Sequence, residues 1–176
     1  TEFVSMVSHE LRTPLSITKE GLSLVLGGIS GELNEKQGKI LTTAKNNIDR
    51  LTNIINSLLD ISKIEAGKVE LKRGSVDLNN IIIGLISSFS KRASDKGLEF
   101  KAYLPEKPIV FYADAEKIVQ VFTNLISNAL KFTKDGRVEI SALEREDEVE
   151  CSVADTGVGI SGDDLHKVFG KFQQFD

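Results

Sequence analysis

The sequence predicts a helical hairpin followed by a two-layer α/β sandwich, and three observations carry that prediction. Apolar residues recur in steps of three and four through roughly the first sixty residues, the spacing of packed helices. After Ala66-Gly67 the period changes, and short alternating runs interleave with helical ones, as in a two-layer α/β arrangement. The 176 residues are 40% hydrophobic and 27% charged, a globular composition long enough for one ordinary domain or two small ones. The division is expected near residues 66–75, giving domains of 1–66 and 67–176.

The first helix is expected from residue 1 to about 27, with a seam of Val4, Val7, Leu11, Pro14, Thr18, Leu22 and Val25. Gly27-Gly28-Ile29-Ser30-Gly31 breaks it, and Asn34 offers an N-cap for the second. That helix carries Leu41, Ala44, Ile48, Leu51, Ile55 and Leu58 in the same rhythm. Ile40, Ile54, Leu59 and Ile61 widen its stripe beyond what one partner helix covers. Dimerisation into a four-helix bundle would bury the excess, the alternative being packing on the C-terminal part.

Beyond the Ala66-Gly67 stop, residues 69–72 alternate as a strand. Asp77 caps a helix to about Ser94, with Leu78, Ile81, Ile82, Leu85, Ile86 and Phe89 inward. Strands are expected over 98–104 and 109–111, then a helix over 115–132 capped by Asp114. Its apolar face reads Ile118, Phe122, Leu125 and Ala129. Residues 137–143 and 149–154 form a hairpin around an acidic turn.

Several function classes are disfavoured. A net charge of −4 argues against a general nucleic-acid surface. A single cysteine rules out an internal disulfide or a cysteine metal cluster. Cys151 shares a strand face with Val149 and Val153 and reads as a buried packing residue. No run of 18 or more apolar residues occurs, so no membrane contact by this segment and a cytosolic setting are expected.

Three places carry chemistry. His9 lies two residues from both Val7 and Leu11, about 200° around the helix from each, and so faces solvent. An exposed histidine is most often plain surface. Here Glu10 is adjacent, Thr13 is one turn on, and Pro14 costs about 3 kcal/mol inside a helix, which calls for a reason such as a bend or bulge. On the helix over 115–132, Gln120, Asn124, Asn128 and Lys131 line one face. This ladder of amides and one cation suits a hydrated divalent ion and phosphate oxygens, though such residues also make ordinary solvated surface. Asp155 continues the inward parity of Val149, Cys151 and Val153, and a carboxylate aimed at apolar surroundings needs a donor. Gly157 and Gly159, in alternate positions after it, allow close approach of a flat ligand, so Asp155 could accept from an exocyclic amine such as adenine's. Asp-x-Gly-x-Gly alone also fits a plain turn.

Taken together, the chain resembles the cytoplasmic core of a two-component sensor histidine kinase over essentially its whole length. Ser8-His9-Glu10-Leu11-Arg12-Thr13-Pro14-Leu15 is similar to the phosphoacceptor H box. The run from Asn124 through Asn128 and Lys131 to Thr133 is similar to the N box. Asp155-Thr156-Gly157-Val158-Gly159-Ile160 is similar to the first glycine box, and Val168-Phe169-Gly170-Lys171-Phe172 to the F box.

The resemblance implies a dimerisation and histidine-phosphotransfer hairpin over 1–66. It implies an ATP-binding domain of the histidine kinase and gyrase type over 67–176. His9 would be phosphorylated by ATP, with Glu10 taking the imidazole proton or orienting the ring. Asn128 would hold Mg²⁺ beside Asn124, Lys131 would contact phosphates, and Asp155 would read the adenine amine. Gly157, Gly159, Ile160 and Phe169 would complete the nucleotide site. Thr13 matches a position that helps water attack the phosphorylated regulator, so a dephosphorylating activity is implied as well. The implied partners are a response-regulator receiver domain and a second copy of the chain.

Gyrase-like relatives place a water-activating glutamate one turn before the metal-binding asparagine. Asn124 stands there in this chain, which favours transfer to a histidine over hydrolysis. The family's second glycine-rich box, the rest of its ATP lid and a closing strand and helix do not follow within the 176 residues. The expectation is therefore a catalytic domain incomplete at its C-terminus, with sensor segments before Thr1. The alternative reading is a dimeric phosphotransfer and docking scaffold that lacks kinase activity of its own.

Overall fold

The computed structural model describes residues 2–168 and 170; the side chains of residues 2–5 and of His9 lie outside the description. The chain forms two compact units, Thr1–Glu70 and Leu71–Asp176.

The first unit is an α-hairpin of α1 (Glu2–Leu26) and α2 (Glu35–Glu65). Helix α1 runs through Pro14 without a break or bulge. It ends in a pair of closing bonds, Gly28 N–H to Val25 C=O and Ile29 N–H to Leu24 C=O. Gly28 supplies the left-handed conformation they require, at φ +82°. Helix α2 begins with a full capping box. Asn34 Oδ1 accepts from Gln37 N–H at 2.9 Å, and Gln37 Oε1 accepts from Asn34 N–H at 3.0 Å.

The seam inside the hairpin differs from the expected one. Ser8 is buried, and Leu15 and Leu22 are half-buried. Arg12 and Lys19 reach α2, to Asn56 Oδ1 at 2.9 Å and Asp49 Oδ1 at 2.6 Å. Leu11, Pro14 and Thr18 are exposed instead. On α2 the buried pair is Ile55 and Leu59, with Leu41, Ala44, Ile48 and Thr52 half-buried, while Leu51 and Leu58 are exposed beside Ile40 and Ile54. Each helix carries two adjacent apolar stripes, and periodicity alone does not say which one faces the hairpin partner.

The second unit orders its elements β1 (Gly74–Asp77), α3 (Leu78–Ser94), β2 (Glu99–Tyr103), β3 (Val110–Ala113), α4 (Ala115–Phe132), β4 (Arg137–Glu144), β5 (Val149–Asp155) and the short α5 (Gly162–Leu165). Strands β1 and β3 pair antiparallel. Strand β4 is central in a mixed sheet, parallel to β2 and antiparallel to β5. Helices α3 and α4 pack on this sheet around Leu78, Ile82, Phe122, Ile126, Leu130, Val138 and Ile140.

Three expectations need correction. No strand forms over 69–72, since β1 begins at Gly74. The Lys72 N–H goes instead to Asp114 Oδ2 at 2.8 Å. Leu125 is 47% exposed, and the core positions of α4 are Phe122, Ile126, Ala129 and Leu130. The four-step pattern through Leu125 follows the rim of the apolar stripe rather than its centre. Cys151 is exposed, although it lies opposite Ala142 on the inward face. It sits on β5, which has a partner strand on one side only among the described residues.

Candidate functional site

The second unit fastens three consecutive residues, Asp155, Thr156 and Gly157, each in a different way. Asp155 ends β5 opposite Val138, a position aimed at the helix layer. Its Oδ1 accepts the Gly157 N–H at 2.8 Å, an Asx turn, and lies 3.4 Å from Thr133 Oγ1. Its second oxygen takes no bond among the described residues, and the side chain is exposed. Thr133, 0% exposed, is the residue that closes α4, its N–H donating to Ala129 C=O at 3.0 Å.

Thr156 ties the same turn to the start of β4. Its Oγ1 accepts the Arg137 N–H at 3.0 Å and donates to Asp135 C=O at 3.2 Å. Gly136, at φ +106°, makes room for it, because a Cβ there would stand 2.2 Å from that oxygen. Gly157 lies so close to the end of α4 that a Cβ would fall 2.8 Å from Phe132 O. Gly159 is left-handed at φ +69°, and Ile160 is exposed. The glycine spacing therefore permits a close approach of the loop to the carboxyl end of α4.

That helix is the scaffold of the site. Asp114 caps it, with Oδ1 accepting the Lys117 N–H at 3.1 Å. The N–H groups of Lys72 and Lys117 on its two oxygens hold the Asp114 carboxyl below the ordinary aspartate range. Burial of Ile126 and Leu130 fixes the rotation of α4 and leaves Asn124, Asn128 and Lys131 exposed on another face. Lys131 Nζ lies over the Phe132 ring, 4.6 Å from its centre. Asn124, Asn128, Lys131, Thr133, Asp155 and Gly157 thus belong to one helix with its C-cap, and to the end of β5 with the loop that follows it.

In the first unit, Glu10 and Thr13 are exposed on α1. The side chain of His9 lies outside the described residues, as does Phe169. Asp49, bonded by Lys19, has its carboxyl held below the ordinary range. Sequence reasoning missed Thr133 as a support of Asp155, Thr156 as the anchor to β4, and Arg12 as the link to Asn56. Thr133 and Thr156 stood inside the quoted motifs, but their partners lie far along the chain.

Comparison with known proteins defines the class. Residues 1–67 match the family described as His Kinase A (phospho-acceptor) domain. Residues 113–176 match the Histidine kinase-, DNA gyrase B-, and HSP90-like ATPase family. The chain carries the phospho-acceptor and ATPase-family regions of a two-component sensor histidine kinase core.

Among particular relatives, it is 37% identical over 177 residues to Hybrid signal transduction histidine kinase L of Dictyostelium discoideum, covering 97% of this chain and 10% of that protein. It is 36% identical over 183 residues to the Sensor protein GacS of Pseudomonas syringae pv. syringae, covering 100% and 20%. The crystal structure of full-length ShkA in complex with AMPPNP superposes with a TM-score of 0.78 at 30% identity, over 98% of this chain and 37% of that one. The chain thus spans a tenth to a fifth of the two curated relatives' length. Among the described residues, no helix is long and apolar enough to cross a membrane.

Proposed function

We propose that this chain is the core of an ATP-dependent histidine autokinase that phosphorylates His9 and passes the phosphoryl group to an aspartate of a response-regulator receiver domain. The observation that carries the reading is the Asp155 carboxylate. One oxygen is committed to Gly157 and Thr133 and the other is available at the mouth of a glycine loop, as a receptor for an exocyclic amine needs. The ATP-binding family match and the AMPPNP complex of the ShkA relative support the same ligand.

In the proposed step, a neutral ring nitrogen of His9 attacks the γ-phosphorus. The bond to the β–γ bridging oxygen breaks, ADP leaves, and Glu10 takes the ring proton. Lys131 balances phosphate charge. Asn128, with Asn124 one turn before it, offers amide oxygens to Mg²⁺. Among the described residues no group of three His, Cys, Asp or Glu side chains could hold a metal. One or two protein oxygens, completed by phosphates and water, is the usual magnesium arrangement, so the residues fit the ion. When bound, it neutralises the phosphates. Gly157, Gly159, Ile160 and Phe169 are assigned to the nucleotide site, and Thr13 to orienting water for dephosphorylation of the regulator. The working form is proposed to be a cytoplasmic homodimer, in which the exposed second stripe of α2 is covered by the other copy.

Incubation with γ-labelled ATP should yield an acid-labile phosphoprotein that is absent in His9→Gln. Persistent labelling of the variant would overturn the assignment. Failure of the wild type to label with ATP, while it accepts phosphate from a separate kinase, would indicate a phosphotransfer scaffold instead.

A further inference from the structure

We infer that Lys96 is a positioning residue for nucleotide binding: from the turn after α3 it closes the carboxyl end of α4, the turn that bears Lys131 and leads into Thr133. The inference rests on the ATP-binding reading above.

The last carbonyls of a helix have no partner within it. In α4, the Ala129 carbonyl is taken by the Thr133 N–H, and the Phe132 carbonyl lies against Gly157. The two between them turn to Lys96. Its Nζ donates to Leu130 C=O at 2.5 Å and reaches Lys131 C=O at 3.5 Å. A cation there also complements the negative end of the helix dipole.

Lys96 is itself firmly placed. Its N–H donates to Ala93 C=O at 3.1 Å, and Leu98 N–H donates to the same carbonyl at 3.0 Å across a left-handed Gly97 at φ +70°. Ala93 and Leu98 are both buried, so the turn is anchored in the core on either side of the lysine. The ammonium therefore joins a rigid turn to the one stretch of α4 on which two nucleotide contacts depend. Lys131 lies in that stretch, and Thr133, which follows it, lies against Asp155. Without the ammonium, the Leu130 and Lys131 carbonyls fall to water. The last turn can then fray, loosening the phosphate contact and the adenine contact together.

The test compares Lys96→Met and Lys96→Arg with wild type in the full chain. Autophosphorylation kinetics, thermal melting and amide hydrogen exchange are measured for each. Lys96→Met should raise KM for ATP by up to about tenfold and leave kcat within about twofold, because loss of the charge-assisted bond depopulates the ordered, binding-competent end of α4. Faster exchange should be confined to the last turn of α4. Lys96→Arg, which keeps a cationic donor, should recover most of the affinity. A folded Lys96→Met with wild-type KM, or a Lys96→Arg no better than Lys96→Met, overturns the inference. Should Lys96→Met be unfolded at the assay temperature, Lys96→Gln carries the same KM criterion. If wild type itself neither labels nor binds an ATP analogue, the ATP reading fails and this inference with it. If wild type binds and Lys96→Met binds equally, only this inference fails.

Discussion

A methyl group added to Gly157 would sit 2.7 Å from Asp155 Oδ1 and 2.8 Å from the Phe132 carbonyl oxygen. Neither neighbour is the loose end of a flexible side chain: one ends an Asx turn, and the other is backbone. Gly157→Ala is therefore expected to cost about 1–3 kcal/mol of stability, as overpacking does, and urea unfolding monitored by circular dichroism checks it. Asp155→Ala should weaken binding of an ATP analogue at least tenfold, about the worth of one hydrogen bond to a charged group, readable by calorimetric titration.

Asp114 gives a pH signature. Its folded carboxyl titrates below the unfolded value of 3.8, so its contribution is present above that value and disappears as pH falls through the folded one. Asp114→Ala should thus lower the melting temperature clearly at pH 7 and by less at pH 3. An equal loss at both pH values would contradict the role of the Lys72 and Lys117 N–H groups in holding the carboxylate ionised. Asp155 and the glycines were legible in the sequence because strand parity and spacing are local. Thr133 and Lys96 were not, because their partners lie 22 and 34 residues away and only the fold brings them together.

At the scale of elements, the helix starts were the most legible parts. Asn34, Asp77 and Asp114 each cap the helix that follows, and each does so with its own side chain. Faces were harder to assign. In α1, α2 and α4 the apolar stripe is wide, and a three-four count can follow its edge, as it did through Leu11, Leu58 and Leu125. The residues that matter for the hairpin are the buried ones. Leu59→Ala should destabilise it by about 2–4 kcal/mol, whereas Leu51→Ala should cost far less in a monomeric hairpin. Thermal unfolding of the two variants at low protein concentration separates them. Residues 69–72 alternate in the sequence, but the Lys72 N–H is taken by a side chain and the ladder begins only at Gly74.

For the whole molecule, the surface left over on α2 sets the next question. Leu51, Ile54 and Leu58 lie on one exposed stripe beside the buried one. If a second copy covers that stripe, Leu51→Asp together with Leu58→Asp should convert a dimer to a monomer in light scattering and leave the helices intact by circular dichroism. The ATP-binding unit should be unaffected, because every residue of its core cluster belongs to that unit.

Both helices of the hairpin are terminated by their own signals, Gly28 and its two bonds at one end and the Asn34–Gln37 box at the other. Beyond Ile29, whose N–H closes α1 while its side chain is 73% exposed, residues 30–33 donate no backbone hydrogen bond to either helix. The connection is accordingly a replaceable part. A peptide tag, a reporter or a longer linker spliced between Ile29 and Ser30 should leave both helix ends formed. That offers a place to attach a probe to this chain without disturbing either helix of the hairpin.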